Sequence, residues 1–186
     1  MAIHILLIDD NQDQITITKR ALKQAPEYAV DAALDGKTGL EQLRARHYDV
    51  VLCDYRLPGT TGVEVLKALK AQGQDVPFVI ITAAGSERVA VEALQEGAYD
   101  YVVKDLMYDE MLPGVLQRVL ARYAEKQERE RLAVERNAAL QALQEEKKSL
   151  QTMNQAMMGR EDRILGLKKE INTLLEELHR PTKYQT

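Results

Sequence analysis

The 186-residue chain has no tryptophan, a single phenylalanine and a single cysteine. Cys53 alone cannot form an internal disulfide, and no apolar run approaches the roughly 20 residues needed to cross a bilayer. There is no excess of positive charge either, because 25 basic residues face 29 acidic ones. A clustered basic face for a nucleic-acid backbone is therefore not indicated. The first ten residues lack the basic leader of an export signal, so we expect a cytoplasmic protein without membrane or nucleic-acid partners.

Proline is also missing from residues 114–180, where Glu, Lys, Arg, Gln, Ala and Leu dominate. These residue types lose least by becoming helical. At about 150 residues per domain, the chain allows one domain plus an appendage. We place the boundary near residue 120, and no Gly- or Pro-rich linker marks it. A helix is therefore predicted to run through the boundary without a joint.

The first 120 residues alternate two kinds of segment. Short runs rich in apolar and β-branched residues predict buried strands at 3–8, 28–33, 49–53, 76–81 and 99–103. Stretches with apolar residues three and four apart predict helices at 14–24, 36–46, 62–72 and 87–95. This alternation specifies an α/β fold, a doubly wound parallel sheet of five strands in the order 2-1-3-4-5.

Polar side chains follow four of the five predicted strands. Asp9 and Asp10 end the first strand, Asp54 the third, Thr82 the fourth and Lys104 the fifth. Ligands of such sheets bind beyond the carboxyl ends of the strands, so three carboxylates are expected in one pocket. Like charges that close must protonate or find a cation. Oxygen ligands without a His or Cys donor set favour Mg²⁺ over zinc.

Four separated motifs resemble the receiver domain of two-component response regulators over about residues 1–122. They are the run Ile8-Asp9-Asp10-Asn11, the block from Cys53 to Gly62, the triplet Thr82-Ala83-Ala84, and the run Asp100-Tyr101-Val102-Val103-Lys104. The resemblance implies a flavodoxin-like fold and a partner histidine kinase or other phosphodonor. It also implies that the domain assists only its own phosphorylation and dephosphorylation and is not otherwise an enzyme.

The resemblance assigns the acceptor and the metal ligands. Asp54 corresponds to the phospho-acceptor and Asp10 to a Mg²⁺ ligand, and Asp54 itself also contacts the ion. Asp9 lies beside them and is expected to act largely through water. The backbone carbonyl of Arg56, two residues past the acceptor, is expected to complete the ligand set.

The resemblance also assigns a switch. Thr82 is expected to hydrogen-bond the phosphoryl oxygens, Lys104 to pair with them, and Tyr101 to swing inward as Thr82 moves. One residue departs from the family pattern, because Asp105 follows Lys104 where a proline in a cis peptide is usual. A cis bond without proline costs about 3 kcal/mol, so we expect a trans bond or a strained one.

A heptad repeat follows the domain. Apolar residues occupy every a position from 143 to 178 in unbroken sevens: Leu143, Leu150, Met157, Ile164, Ile171 and Leu178. Such a repeat predicts a left-handed coiled coil at 123–180, followed by a tail at 181–186. Residues 158–170 also resemble coiled-coil segments that bridge modules in bacterial sensor proteins. Between 116 and 134 the register fails, which indicates either a stutter, the interpretation we favour, or a solvated helix.

The sequence thus predicts a response regulator whose output is a homodimer through its C-terminal coiled coil. Parallel pairing is favoured, although antiparallel pairing is also open, and the downstream protein is unknown. The alternative is a structural or adaptor dimer in which the receiver head is passive. A transcription factor would need a DNA-binding module, and none is visible after Lys104.

Overall fold

The computed structural model describes residues 2–23, 27–83, 87–105 and 108–184. In these ranges the strands are β1 (Ile3–Ile8), β2 (Tyr28–Ala33), β3 (Val50–Asp54), β4 (Arg56–Leu57), β5 (Thr60–Thr61), β6 (Phe78–Ala83) and β7 (Asp100–Lys104). The helices are α1 (Gln12–Leu22), α2 (Gly36–Ala45), α3 (Gly62–Ala71), α4 (Glu87–Gln95) and α5 (Tyr108–Glu177). Each of the five predicted strands and four predicted helices of the domain is present, with ends that differ from the prediction by at most two residues.

Five of these strands form one parallel sheet in the order β2-β1-β3-β6-β7. This is the predicted 2-1-3-4-5 order, since β6 and β7 are the fourth and fifth strands of that sheet. β1 pairs with β2 on one side and with β3 on the other, so the strand order reverses between β1 and β3. The fold is flavodoxin-like, and its switch point lies where β1 meets β3.

Apolar side chains fill both faces of the sheet. On one face, residues of β1, β3 and β6 pack against α2, α3 and α4, with Phe78 and Leu66 at the centre. On the other face, alternate residues of the same strands pack against α1 and α5. Cys53 belongs to the first cluster and is fully buried. Because both faces are covered, the polar groups at the strand ends are held by a rigid base.

Two helix starts are fixed next to the carboxyl end of the sheet. The Asn11 side chain accepts hydrogen bonds from the amides of Asp13 and Gln14 and so caps α1. Thr61 and Glu64 form a reciprocal capping box at the start of α3. Such caps satisfy amides that have no partner within the helix, and each contributes about 1 kcal/mol. The loops after β1 and β3 therefore have defined conformations.

A small hairpin between β3 and α3 is absent from the sequence predictions. β4 pairs with β5 in antiparallel fashion, with Arg56 opposite Thr61 and Leu57 opposite Thr60. The turn between them is Pro58-Gly59, and Gly59 has φ of 72°, a backbone conformation that glycine favours. The strands are two residues long, which is below the length at which alternation can be recognised.

The helix α5 explains why the heptad register fails between 116 and 134. Leu112, Val115, Leu116 and Val119 are buried in the core, and Leu120 is partly buried beside them. The apolar positions up to Leu120 therefore match the receiver domain, while the choice between a stutter and a solvated helix stays open for the exposed residues that follow. Val134, by contrast, is exposed. The apolar residues of the later heptads, such as Leu143 and Leu150, are also exposed.

The chain after α5 folds back along the helix. His179 adopts φ of 52°, and the amides of His179 and Arg180 bond to the carbonyls of Glu176 and Leu175. This is the Schellman pattern of a helix end. Beyond it, the Asn172 carboxamide accepts from the amides of Lys183 and Tyr184 at 3.1 Å each and donates to the Tyr184 carbonyl at 2.6 Å. Asn172 is buried by this segment.

The chain divides into two compact units, Met1–Glu128 and Arg129–Thr186. The first contains the sheet and the beginning of α5. Its boundary lies a few residues beyond the end of the domain expected at residue 122.

Candidate functional site

The register of the sheet places the predicted polar residues at one edge. Ile8 pairs with Cys53, so Asp9 and Asp54 follow at the same level of neighbouring strands. Asp54 pairs with Ile81, and Ala83 pairs with Lys104. Because parallel strands all end at the same edge, the four strand ends that carry polar residues lie at one edge of the sheet.

Three carboxylates meet there. One oxygen from each of Asp9, Asp10 and Asp54 lies within 4.8 Å of the others. Their exposure differs, since Asp9 is 1 % exposed, Asp54 is intermediate and Asp10 is exposed. The Asp9 carboxylate also accepts the Asn11 amide at 2.9 Å, so the capped start of α1 orients it. The cluster thus has a fixed, buried side and an open side toward solvent.

Lys104 neutralises part of this charge. Its Nζ lies 2.8 Å from an oxygen of Asp9 and 2.8 Å from an oxygen of Asp54. The side chain is only 18 % exposed. Burial acts to lower the pKa of Lys104, but the hydrogen bonds to both carboxylates outweigh it and raise the pKa. The ammonium group is therefore held in its charged form as a bridge between the two strands.

Burial raises the pKa of Asp54, although Lys104 opposes the effect. The raised pKa of Lys104 and the raised pKa of Asp54 are consistent with each other. Two carboxylates together stabilise the one ammonium group strongly, whereas each carboxylate is neutralised by only part of the ammonium charge. The negative charge of Asp9 contributes to the raised pKa of Asp54 in the same sense. The cluster keeps a net negative charge and retains an attraction for a further cation.

The second oxygen of Asp54 is oriented by the chain that follows it. The Arg56 amide donates to this oxygen at 3.2 Å. The Tyr55 amide donates to the Ile81 carbonyl, and the Gly62 amide donates to the Tyr55 carbonyl. These two bonds hold the loop against the sheet. A methyl group at Gly62 would lie 2.6 Å from the Asp54 carbonyl oxygen, so only glycine fits. The Arg56 amide and Gly62 were not among the predicted site residues, although Gly62 ends the motif block.

Thr82 and Tyr101 lie on neighbouring strands and share a face. Thr82 alternates with Ile81 on β6, and Tyr101 alternates with Val102 on β7, so both point toward the face covered by α4. Thr82 is 3 % exposed, and its hydroxyl makes a long contact of 3.5 Å with the Ala83 carbonyl. Tyr101 is 38 % exposed and points away from the core. The predicted pair is therefore brought to one face, with the tyrosine in an outward position.

The peptide bond between Lys104 and Asp105 is trans, one of the two outcomes expected from the missing proline. The Asp105 amide donates to the Val103 carbonyl at 3.0 Å, which forms a tight turn directly after β7. Lys104 reaches both carboxylates from this turn. The departure from the family pattern therefore leaves the lysine in contact with the acidic cluster.

The donor set suits a hard divalent cation. Carboxylate oxygens are the ligands that Mg²⁺ prefers, and the ion usually keeps several waters and contacts few protein groups. Asp10 and one side of Asp54 face solvent, so such an ion can enter with its waters. Neither a thiolate nor an imidazole joins this cluster among the described residues, which disfavours zinc.

A flavodoxin-like sheet with an acidic cluster and a lysine at its carboxyl edge defines the class of signalling receiver domains. Residues 5–116 match the family model described as "Response regulator receiver domain". The chain belongs to this family, whose members are the receiver domains of two-component systems and bind Mg²⁺ in an acidic pocket.

Known proteins with similar sequences match somewhat more than half of the chain. The transcriptional regulatory protein ZraR of Escherichia coli K12 is 41 % identical over 119 residues, which are 64 % of this chain and 26 % of ZraR. The transcriptional regulatory protein DltR of Streptococcus agalactiae is 35 % identical over 113 residues, 61 % of this chain and 50 % of DltR. The chain thus spans about a quarter to a half of the length of these relatives.

Solved structures agree with the fold. The chemotaxis response regulator CheY4 of Vibrio cholerae is 30 % identical, with a TM-score of 0.59 over 64 % of this chain and 99 % of CheY4. The receiver domain of the Francisella response regulator 1452 is 28 % identical, with a TM-score of 0.58 over 64 % of this chain and 98 % of that domain. Within the described residues, no helix is long and apolar enough to span a membrane.

Proposed function

We propose that this chain is a phospho-accepting response regulator in which Asp54 receives the phosphoryl group and the C-terminal coiled coil delivers the output. The observation that supports the first part is the meeting of Asp9, Asp10 and Asp54 within 4.8 Å, with Lys104 bridging two of them. A passive head would have no need for a buried ammonium beside an excess of carboxylates. A histidine kinase or another phosphodonor supplies the phosphoryl group.

The chemistry assigned to the site is the transfer of a phosphoryl group to a carboxylate. A carboxylate oxygen of Asp54 attacks the phosphorus, the bond between phosphorus and the donor atom breaks, and an aspartyl phosphate forms. Hydrolysis by water returns the carboxylate and inorganic phosphate. Asp9, Asp10, Asp54 and the Arg56 carbonyl would hold Mg²⁺, which neutralises charge on the transferring group.

Lys104 can bind the Asp54 carboxylate before the reaction and a phosphoryl oxygen after it. It contacts Asp54 at 2.8 Å before phosphorylation and is in reach of an oxygen attached there afterwards. Thr82 offers its hydroxyl, whose present contact is long and weak, to another phosphoryl oxygen. Movement of Thr82 would vacate space on the face it shares with Tyr101, and we assign the inward rotation of Tyr101 to that event.

Phosphorylation is tested by incubating the full chain with acetyl phosphate and Mg²⁺ and measuring its intact mass. The expected result is a gain of one phosphoryl group that is lost in Asp54→Asn. Asp13→Asn is the matched control, because Asp13 is exposed in the first turn of α1 and lies outside the acidic cluster. If the parent chain gains no mass, or if Asp54→Asn gains as much, the proposed function is wrong and the adaptor alternative is favoured.

The proposed output rests on an unpartnered apolar seam. Ile164, Ile171, Leu174 and Leu178 are 39 to 67 % exposed although they occupy a and d positions of the heptad. A helix with such a stripe is stabilised by burying it against another helix. A second copy of this chain presents the same stripe, so we propose a homodimer with parallel pairing.

Ile171→Glu is expected to shift the full chain from dimer to monomer in sedimentation at micromolar concentration. Thr173→Glu places the same charge on the same turn at a c position and is expected to leave the dimer intact. Leu178→Cys tests the direction of pairing, because two copies of an a position meet only in a parallel dimer and would form a disulfide there. A monomeric parent chain would contradict the dimer, and a dimer without that disulfide would contradict parallel pairing.

A further inference from the structure

The helix α5 stays attached to the receiver domain beyond its last buried residue. Val119 is the last residue of α5 that is fully buried in the core. Polar and aromatic contacts nevertheless continue to Gln127, two turns further. They are made to residues at or just before the amino ends of β6 and of the edge strand β7, at the end of the sheet opposite to the acidic cluster. The helix residues that make these contacts lie beyond the stretch that matches the receiver family, which ends at residue 116.

Three helix residues contact a single loop residue, Asp75, which lies between α3 and β6. The Tyr123 hydroxyl donates to the Asp75 carbonyl at 2.6 Å. Lys126 Nζ lies 2.7 Å from an Asp75 carboxylate oxygen, and the Gln127 carboxamide donates to the same oxygen at 3.2 Å. Positions 123, 126 and 127 are spaced three and four apart, so they project from one face of the helix.

Tyr99, directly before β7, completes the arrangement. Its ring meets the Tyr123 ring edge to face at 5.7 Å between centroids, and Lys126 Nζ lies 5.9 Å from the centre of the Tyr99 ring. We call Asp75, Tyr99, Tyr123, Lys126 and Gln127 the Asp75 clasp. The hydrogen bond from Lys126 to Asp75 raises the pKa of Lys126, so the ammonium is charged throughout the physiological range.

Two further contacts tie the preceding turns of α5 to β7. Arg118 binds the Asp100 carboxylate at 2.6 Å, and an Arg122 guanidinium nitrogen donates to the Tyr99 carbonyl at 3.3 Å. About three consecutive turns of the helix are therefore connected to the amino ends of β6 and β7.

The strands held in this way are those that carry the switch residues. β6 begins three residues after Asp75 and ends next to Thr82, and β7 begins directly after Tyr99 and ends at Lys104. A displacement of Thr82 or Lys104 at one end of these strands has a short, hydrogen-bonded route to α5 at the other end. Packed elements pass such displacements on because protein interiors have low compressibility.

We propose that the Asp75 clasp makes residues 118–127 of α5 part of the receiver unit and is the joint through which phosphorylation of Asp54 changes the helix beyond it. This inference rests on the proposed function for its second half. Its first half, that the clasp holds the helix, stands on the contacts alone. Individual exposed ion pairs are weak, so the clasp is expected to depend on the set and not on one bond.

The first half is tested by hydrogen exchange in the full, unphosphorylated chain. Tyr123→Phe removes the hydroxyl that reaches the Asp75 carbonyl, and Lys126→Met removes the charged partner, so the double variant opens the clasp. Amides at 118–127 are expected to exchange at least about threefold faster in it, with the core of the sheet unchanged. Unchanged exchange at 118–127 would overturn the inference.

Arg131→Gln is the control for both halves. Arg131 forms an exposed ion pair with Glu135 at 2.8 Å on the same helix, four residues beyond the clasp. Arg131→Gln therefore removes one positive charge from the surface of α5, as Lys126→Met does, but leaves the Asp75 clasp intact. The control is expected to exchange like the parent chain at 118–127.

The second half is tested by phosphorylating the same variants with acetyl phosphate and Mg²⁺. Mass spectrometry measures phosphoryl gain, and hydrogen exchange measures the response of residues 129–177. We expect equal phosphoryl gain in all chains, with a response that is reduced at least twofold in the double variant and retained in Arg131→Gln. A full response in the double variant, or none in a phosphorylated parent, overturns the coupling. No phosphoryl gain in the parent would instead refute the proposed function, and with it the coupling, while the first half is decided by exchange alone.

Discussion

Replacing Lys104 by methionine gives the sharpest test of how the acidic cluster is held together. The substitution keeps a long apolar stem and removes an ammonium group that lies 2.8 Å from both Asp9 and Asp54. The two carboxylates, with side chains 2 % and 13 % exposed, are then left facing each other without that cation. Like charges in a buried site raise the free energy of the folded state.

The magnitude follows from this burial. Removing one partner of a buried ion pair costs about 3–5 kcal/mol, and the lower end applies here because Lys104 is 18 % exposed and water reaches one side of the cluster. For a chain of this length 1 kcal/mol corresponds to about 2–4 °C, so the melting temperature is expected to fall by roughly 10 °C. The measurement is thermal unfolding in the presence of EDTA.

Magnesium should reverse part of this loss. A ligand that binds only the folded state stabilises it by about 2.7 kcal/mol when its free concentration is about one hundred times its dissociation constant. Without the competing ammonium, the cluster is more negative and should bind Mg²⁺ more tightly. The rise in melting temperature on adding Mg²⁺ is therefore expected to be larger for Lys104→Met than for the parent chain.

Lys67→Met provides the matched control. Lys67 pairs with Glu96 at 3.0 Å, but the two side chains are 50 % and 40 % exposed. Such surface pairs contribute about 0–1 kcal/mol, so this variant should melt close to the parent and respond equally to Mg²⁺. If Lys104→Met also melts within about 1 °C of the parent in EDTA, the electrostatic account of the cluster is refuted.

Three further predictions concern Asp54, Gly62 and Asn172. The folded-state pKa of Asp54 is raised, so ionisation of this carboxyl lowers the stability of the folded chain above that pKa. Asp54→Asn should therefore have a higher melting temperature than the parent at pH 7 without Mg²⁺. This difference in melting temperature should shrink toward pH 4. Gly62→Ala should cost about 1–3 kcal/mol, because its methyl group meets the Asp54 carbonyl at 2.6 Å, and should slow phosphorylation. Asn172→Ala should release the folded-back tail and speed amide exchange at Lys183 and Tyr184, measured by hydrogen exchange.

Each of these has an internal comparison. For Asp54, a difference that grows as the pH falls has the wrong sign and contradicts the raised pKa. For Gly62, the control is Gly114→Ala, which meets no atom within 4 Å inside α5 and should stabilise the helix by about 0.5–1 kcal/mol. For Asn172, the neighbouring variant Thr173→Ala should leave exchange in the tail unchanged, and equal effects from both would argue against the carboxamide as the anchor.

The order of the sheet and the meeting of Asp9 with Asp54 could be predicted because both depend on local pattern plus one topological rule. Each carboxylate directly follows a buried run, and parallel strands end at one edge. The bridge from Lys104 to both carboxylates was not predictable to that detail, since it depends on the turn at Asp105 and on the twist between β6 and β7. The outward position of Tyr101 likewise depends on what packs around its ring.

The Asp75 clasp could not be predicted from the sequence, for a different reason. Asp75 and Tyr123 are 48 residues apart, and neither belongs to a motif or a periodic pattern. In the sequence, the apolar residues of α5 near 116–123 only break the heptad. The structure explains why these residues leave the heptad, because Leu116 packs in the core and Tyr123 packs against Tyr99. One helix thus satisfies two periodicities in succession, which a single register cannot describe.

The reversal of the chain after Arg180 has a consequence for anything attached behind it. Tyr184 is bound beside Asn172, six residues upstream of Leu178, so the backbone has returned by about 9 Å along the helix axis. A fused reporter or affinity tag would consequently begin beside α5, near Asn172, and would not extend the helix. Labels intended to measure end-to-end separation belong on Leu178 or earlier, where the helical geometry still applies.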